Sequence, residues 1–119
     1  MHDVEAYART ADEPAVVALL STVLGPLAED DSLPGGGPRI FDAQGNITVV
    51  LQPSDGGYLS VWIRHSDHWP SSPALGRFLA RHLRCVVRCD PEREFPEVSP
   101  YSDLFLQIDG DVESLVVWG

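Results

Sequence analysis

Lysine is missing altogether from this chain of 119 residues, whose eight basic side chains are all arginine against 18 Asp and Glu. The formal charge of −10 repels phosphate backbones and anionic lipid heads and draws in basic protein surfaces. Nucleic acid and membranes are therefore not expected partners. The two cysteines, Cys85 and Cys89, are too few for the disulfide framework of a small secreted domain. No apolar run approaches the roughly 20 residues that cross a bilayer. Met1-His2-Asp3 opens no basic stretch followed by an apolar one. Together these absences lead to the expectation of a cytoplasmic protein.

What is present is enough for one core. An apolar fraction of 44% argues against wholesale disorder, and a chain of this length is expected to form a single α+β domain over residues 1–119. Folding at this size hides roughly two-thirds of the unfolded surface. Arginine as the only base, beside plentiful Ala, Gly, Pro and Val, points to a GC-rich bacterial coding bias.

Local patterns order the elements. Val4 to Arg9 alternates as a short strand. Asp12 can cap a helix whose first turn holds Glu13 and Pro14; Val16, Leu19, Leu20, Val23 and Leu24 recur at helical spacing, and Gly25-Pro26 ends it. Residues 28–38 read as a loop. Its glycines lack the lysine and Ser/Thr of a phosphate-binding loop, so nucleotide binding is not expected there. Ile40-Phe41 can begin a short strand. Ile47 to Gln52 and Tyr58 to His65 are strands joined by Pro53-Ser54-Asp55-Gly56-Gly57. On the second, Leu59, Val61 and Ile63 share a buried side, and Tyr58, Ser60, Trp62 and Arg64 a wetter one. Ser71 or Ser72 can cap a second helix with Leu75, Phe78, Leu79 and Leu83 as its apolar stripe. Arg84 to Asp90 reads as a strand, and Leu104 to Ile108 with Leu115 to Trp118 as a hairpin about Asp109-Gly110.

The first six elements follow the split order of the ferredoxin-like fold. The expected architecture is a two-layer α+β sandwich: a ferredoxin-like β-α-β-β-α-β core with a C-terminal β-hairpin, both helices on one face of the sheet. That fold hosts many chemistries, so the site must decide the function.

No catalytic set is legible. Ser66, Asp67 and His68 are neighbours in sequence, whereas a hydrolytic triad is defined by spatial roles, and no nucleophile-elbow pattern occurs. Nothing marks either thiol as ionised. His65, Asp67 and His68, at the end of a strand, are the candidate metal ligands. A metal site needs a third or fourth ligand in good geometry, and the nearest are His82, Cys85 and Cys89. In an extended segment the two cysteines would lie roughly 13 Å apart, at ~3.3 Å per residue, too far to share an ion. The plainer reading is a polar strand end and two small core thiols, with no cofactor. His82 is placed on the apolar side of the second helix. Arg77, Arg81, Arg84 and Arg88 would form a basic stripe on a continuous helix, read as a solvated face that balances nearby carboxylates.

The sharpest local anomaly begins at Asp90, where carboxylates crowd around Phe95, Tyr101, Phe105 and Trp118 with Arg93 the only base. Acids around aromatic anchors suit a protein interface. The candidate partner-binding residues are Glu92, Glu94, Glu97, Tyr101, Asp103, Asp109, Asp111 and Glu113, with Trp69 a further anchor.

The acid-rich tail FPEVSPYSDLFLQIDGDVESLVVWG, the compact length and the missing catalytic set resemble the small acidic immunity proteins of bacterial polymorphic-toxin and contact-dependent inhibition systems. The resemblance implies a non-enzymatic inhibitor that occludes a basic toxin, its carboxylates standing in for substrate phosphates. The competing expectations are a small-molecule-sensing or regulatory ferredoxin-like domain, and a metal-dependent enzyme built on His65, Asp67 and His68. A homodimer stays open.

Overall fold

The computed structural model describes residues 2–32, 37–99 and 102–118. β1 (His2–Ala8) alternates as its sequence requires and buries Val4, Ala6 and Ala8. α1 (Glu13–Leu24) starts where the Asp12 carboxylate accepts from Ala15 N at 3.1 Å, which satisfies one of the free donors of the first turn. It stops at Gly25, whose φ of 80° a side chain would resist.

The segment expected to be pure loop contains a two-residue strand, β2 (Ala28–Glu29). β3 (Arg39–Asp42), β4 (Thr48–Ser54) and β5 (Tyr58–Ser66) follow. α2 (Ser72–Leu83) is capped by Ser71 Oγ, which accepts from Ala74 N at 3.2 Å. It ends at Arg84 in the left-handed region, φ 53°. That termination shortens the expected Arg84–Asp90 strand to β6, Val87–Cys89, and because Arg88 stands on it as expected, the four arginines do not share one helix. β7 (Leu104–Asp109) and β8 (Val112–Val117) close the chain as a hairpin.

The eight strands of the described residues form one antiparallel sheet in the order β2-β3-β4-β5-β1-β6-β7-β8. The fold is α+β, but a sheet of eight strands does not match the expected β-α-β-β-α-β arrangement with one added hairpin. The difference lies at the β2-β3 edge. Phe41 is buried there at 3% exposure and pairs with Val49, while Arg39 ties the edge down through Glu29 at 2.7 Å and Glu13 at 3.3 Å.

Val16, Leu20 and Leu24 of α1 share one apolar cluster with Leu75, Leu79 and Ala80 of α2 and with the inward residues of β1, β4, β5, β6 and β7. Both helices therefore cover the same face, and among the described residues the other face carries no helix. α2 lies against β1, β6 and β7. Gly76 permits that approach: a Cβ there would stand 3.1 Å from Ile108 Cδ1 and 3.3 Å from Cys89 Sγ. No helix of the described residues is long and apolar enough to cross a membrane.

Ser72 binds three segments together. Its buried Oγ accepts from Glu5 N of β1 at 3.1 Å, and its own N donates to Glu92 Oε2 at 2.9 Å. Ser72→Ala strands the Glu5 N–H and is expected to cost about 1–3 kcal/mol. A urea midpoint that falls with unchanged slope would register that loss; an unmoved midpoint would mean the bond contributes nothing.

Candidate functional site

The alternation that buries one side of each strand leaves the other side facing away from the helices. Glu5 and Tyr7 of β1, Ser60, Trp62 and Arg64 of β5, Arg88 of β6, and Phe105 and Gln107 of β7 stand on that side. The register brings them together: Glu5 lies opposite Trp62, Tyr7 opposite both Ser60 and Arg88, and Arg88 opposite Gln107.

An aromatic cluster occupies the middle of this face. Trp118, just past β8, packs on Tyr7 and Tyr58 at centroid separations of 4.8 Å each and on Phe105 at 5.3 Å. Because those rings belong to β1, β5 and β7, the end of the chain lies back across the sheet. The Arg88 guanidinium sits 5.1 Å from the Tyr58 ring and 5.3 Å from that of Trp118, and its Nε donates to Gln107 Oε1 at 2.9 Å. Arg88 is thus a cation held among rings, not part of a helical stripe.

Carboxylates adjoin the cluster. Glu5 accepts from Ser60 Oγ at 2.8 Å and from Tyr7 Oη at 3.2 Å. Burial, the nearby Glu5 charge and that hydrogen bond push the Tyr7 phenol up to about 12. A hollow of about 350 Å³ includes Asp3, Glu5, Asp90 and Glu92 together with Tyr7, Trp62 and Phe105. It shares Asp3, Asp90 and Glu92 with a larger cleft of about 1280 Å³ at the same end of the sheet, lined also by His2, Arg93, Glu94, Val98 and Ser102. Four carboxylates and three aromatic rings thus share the lining of the smaller hollow. Two of its members, Asp3 and Glu5, come from the first strand, which the tail-centred reading missed; the alternation of Asp3, Glu5 and Tyr7 was the signal that could have found them.

The predicted tail residues divide. Glu94 and Glu113 grip Arg77 from opposite sides: Glu94 accepts from Arg77 Nη1 and Nη2 at 3.0 and 2.8 Å, and Glu113 from Nε and Nη2 at 2.9 and 3.0 Å. These bonds hold Glu113 below the usual carboxylate range. Asp109, Asp111 and Glu113 share a cleft with Arg9, Arg77, Arg81 and Arg84, so that end of the tail meets arginines. Glu92 contributes its carboxylate to the start of α2 through Ser72 N while its own N donates to Asp90 Oδ1 at 2.7 Å. Glu97 and Asp103 are exposed in the loop. Tyr101 lies outside the described residues.

Trp69 is not an exposed anchor. It is buried at 5% exposure against Phe78, with its carbonyl accepting from His2 Nε2 at 2.8 Å, because the loop before α2 turns it under the helix. His82, expected on the apolar side of α2, is exposed and packs on the Phe78 ring. The candidate metal ligands are not gathered either. The His65 main-chain N–H donates to Asp3 Oδ1 and the His68 main-chain N–H to Ser66 Oγ, and among the described residues no three His, Cys, Asp or Glu groups are placed to hold a metal ion. Cys89 is fully buried, and desolvation, reinforced by the Glu92 charge, pushes its thiol up to about 12; Cys85 is raised too, by burial. Neither is poised as a nucleophile.

No family model matches the chain, and no curated protein or solved structure does so either. The surface chemistry must carry the reading.

Proposed function

We propose that this is a non-enzymatic binding protein that holds a basic protein partner at the acid–aromatic end of its helix-free sheet face. The most concrete form of that role is an immunity protein that occludes a basic bacterial toxin. One observation carries it: Asp3, Glu5, Asp90 and Glu92 line a hollow shared with Tyr7, Trp62 and Phe105. Such a surface can steer a cationic partner through its carboxylates and hold it through its rings. The site differs from the expected one. Asp109, Asp111 and Glu113 face arginines of their own chain and are poor candidates for meeting a basic surface, whereas Glu92 stays in the site. We read the central strands β4-β5-β1-β6 with α1 and α2 as a ferredoxin-like unit lengthened at both edges; the order of those strands and the placement of both helices on one face support it.

The test is affinity capture from the source cell on the immobilised chain, at low and then high salt. A basic protein is expected to bind at low salt and to be released as salt screens the carboxylates. Trp62→Ala and Asp3→Lys should each weaken capture, the tryptophan by about 30-fold or more, as for a central aromatic anchor. Capture that yields no basic protein, or one indifferent to both substitutions, sinks the assignment.

A further inference from the structure

The sheet ends differently on its two sides. One edge is β2, two residues long; the other is β8, six residues, paired with β7 in unbroken register from Leu104↔Val117 to Asp109↔Val112. Exposed edges are normally protected by proline, by bulges or by charge. β8 contains no proline and shows no register shift. Its single charged side chain, Glu113, is drawn to Arg77 on the helix side. Val112 and Val117, at 66% and 65% exposure, are the large hydrophobic side chains that stand in solvent among the described residues, and both belong to this strand.

The hairpin sets which backbone groups point outward. Gly110, φ 61°, is the first of two turn residues closed by the Asp109↔Val112 pair. In a two-residue hairpin that closing pair is hydrogen-bonded, and bonded and non-bonded pairs then alternate along the ladder. By that alternation, the main-chain groups of Glu113, Leu115 and Val117 face away from β7.

We propose that β8 pairs antiparallel with β8 of a second copy of this chain, about a twofold axis through Leu115. The three outward residues are symmetric about Leu115, so the strand is its own complement. In this register Leu115 meets Leu115 of the second copy and Glu113 meets Val117, giving about six main-chain hydrogen bonds and no carboxylate opposite another. The pairing covers Val117 and continues the sheet across the dimer. Two chains of charge −10 repel at long range, whereas β8 itself contributes a single carboxylate, Glu113, which is held by Arg77. Self-association is therefore expected to strengthen as salt rises, opposite to the salt dependence of basic-partner capture. The dimer does not depend on the partner reading.

Sedimentation equilibrium of the full chain, from micromolar to millimolar concentration and at low and high salt, tests this. A dimer mass is expected, with the dissociation constant falling as salt is added. Val117→Pro removes an outward donor without taking a bond from β7, and Val117→Glu places a carboxylate opposite Glu113 of the second copy. Each should weaken the dimer by about tenfold or more, since 1.4 kcal/mol is a factor of ten. The glutamate variant, at an exposed position, keeps the test valid should the proline variant not fold. A monomer at every concentration and salt, or a dimer unmoved by Val117→Glu, overturns the proposal.

Discussion

Leu79→Ala is expected to remove about 2–5 kcal/mol of unfolding free energy, a large share of the roughly 5–15 kcal/mol available to a domain. Leu79 is fully buried on α2, the helix that lies over β1, β6 and β7. Truncation forfeits its transfer energy and leaves a cavity, because Gly76 already brings helix and sheet close to Ile108 and Cys89 and neither side has room to collapse further. Leu79→Met conserves volume and should lose under about 1.5 kcal/mol. Val117→Ala, at an exposed site, should change stability by no more than about 0.5 kcal/mol. Urea unfolding of the three variants side by side checks the order. Equal losses for Leu79→Ala and Val117→Ala would show that α2 is not seated as described.

The second large effect is a loss of stability in alkali. Cys89 in the folded chain titrates at about 12 against an ordinary 9.0, and Tyr7 at about 12 against 10.0. Both are raised chiefly by burial, which penalises the charged form. As pH climbs past the ordinary values, the unfolded chain releases these protons first and binds fewer than the folded one, so stability falls with rising pH. The contribution is fully present below pH ~9 and lost as pH rises through about 12. For Cys89 alone it is on the order of 4 kcal/mol. Denaturant midpoints should drop across that window while thiolate absorbance stays suppressed until unfolding. Cys89→Ala should start less stable at neutral pH and lose less between pH 9 and 12. A flat profile over that range would mean that the thiol reaches water in the folded state.

Much of the local structure was legible because its causes are local. Asp12 and Ser71 cap their helices since the donors they satisfy lie three residues ahead. The wet side of β5 follows from two-residue alternation, whatever the strand packs against. Trp69 was misplaced for the opposite reason. Its burial depends on Phe78 and on a bond from His2, 67 residues away in sequence. The acid tail misled in the same way. Its composition was visible, but not that Arg77 would bind Glu94, 17 residues on, and Glu113, 36 residues on. Nor could the chain order show that Asp3 and Glu5 lie beside Asp90 and Glu92, because that juxtaposition exists only once β1 pairs with both β5 and β6.

Net charge, the absence of lysine, the helix caps and the strand periodicity are properties of single residues and near neighbours, and they are present before the chain folds. Which carboxylates are neutralised, which rings are exposed and which strand is left unpaired depend on pairings across dozens of residues. Hydrogen bonds and dispersion contacts act over ångströms, so those answers came into being only when the sheet brought distant segments into contact.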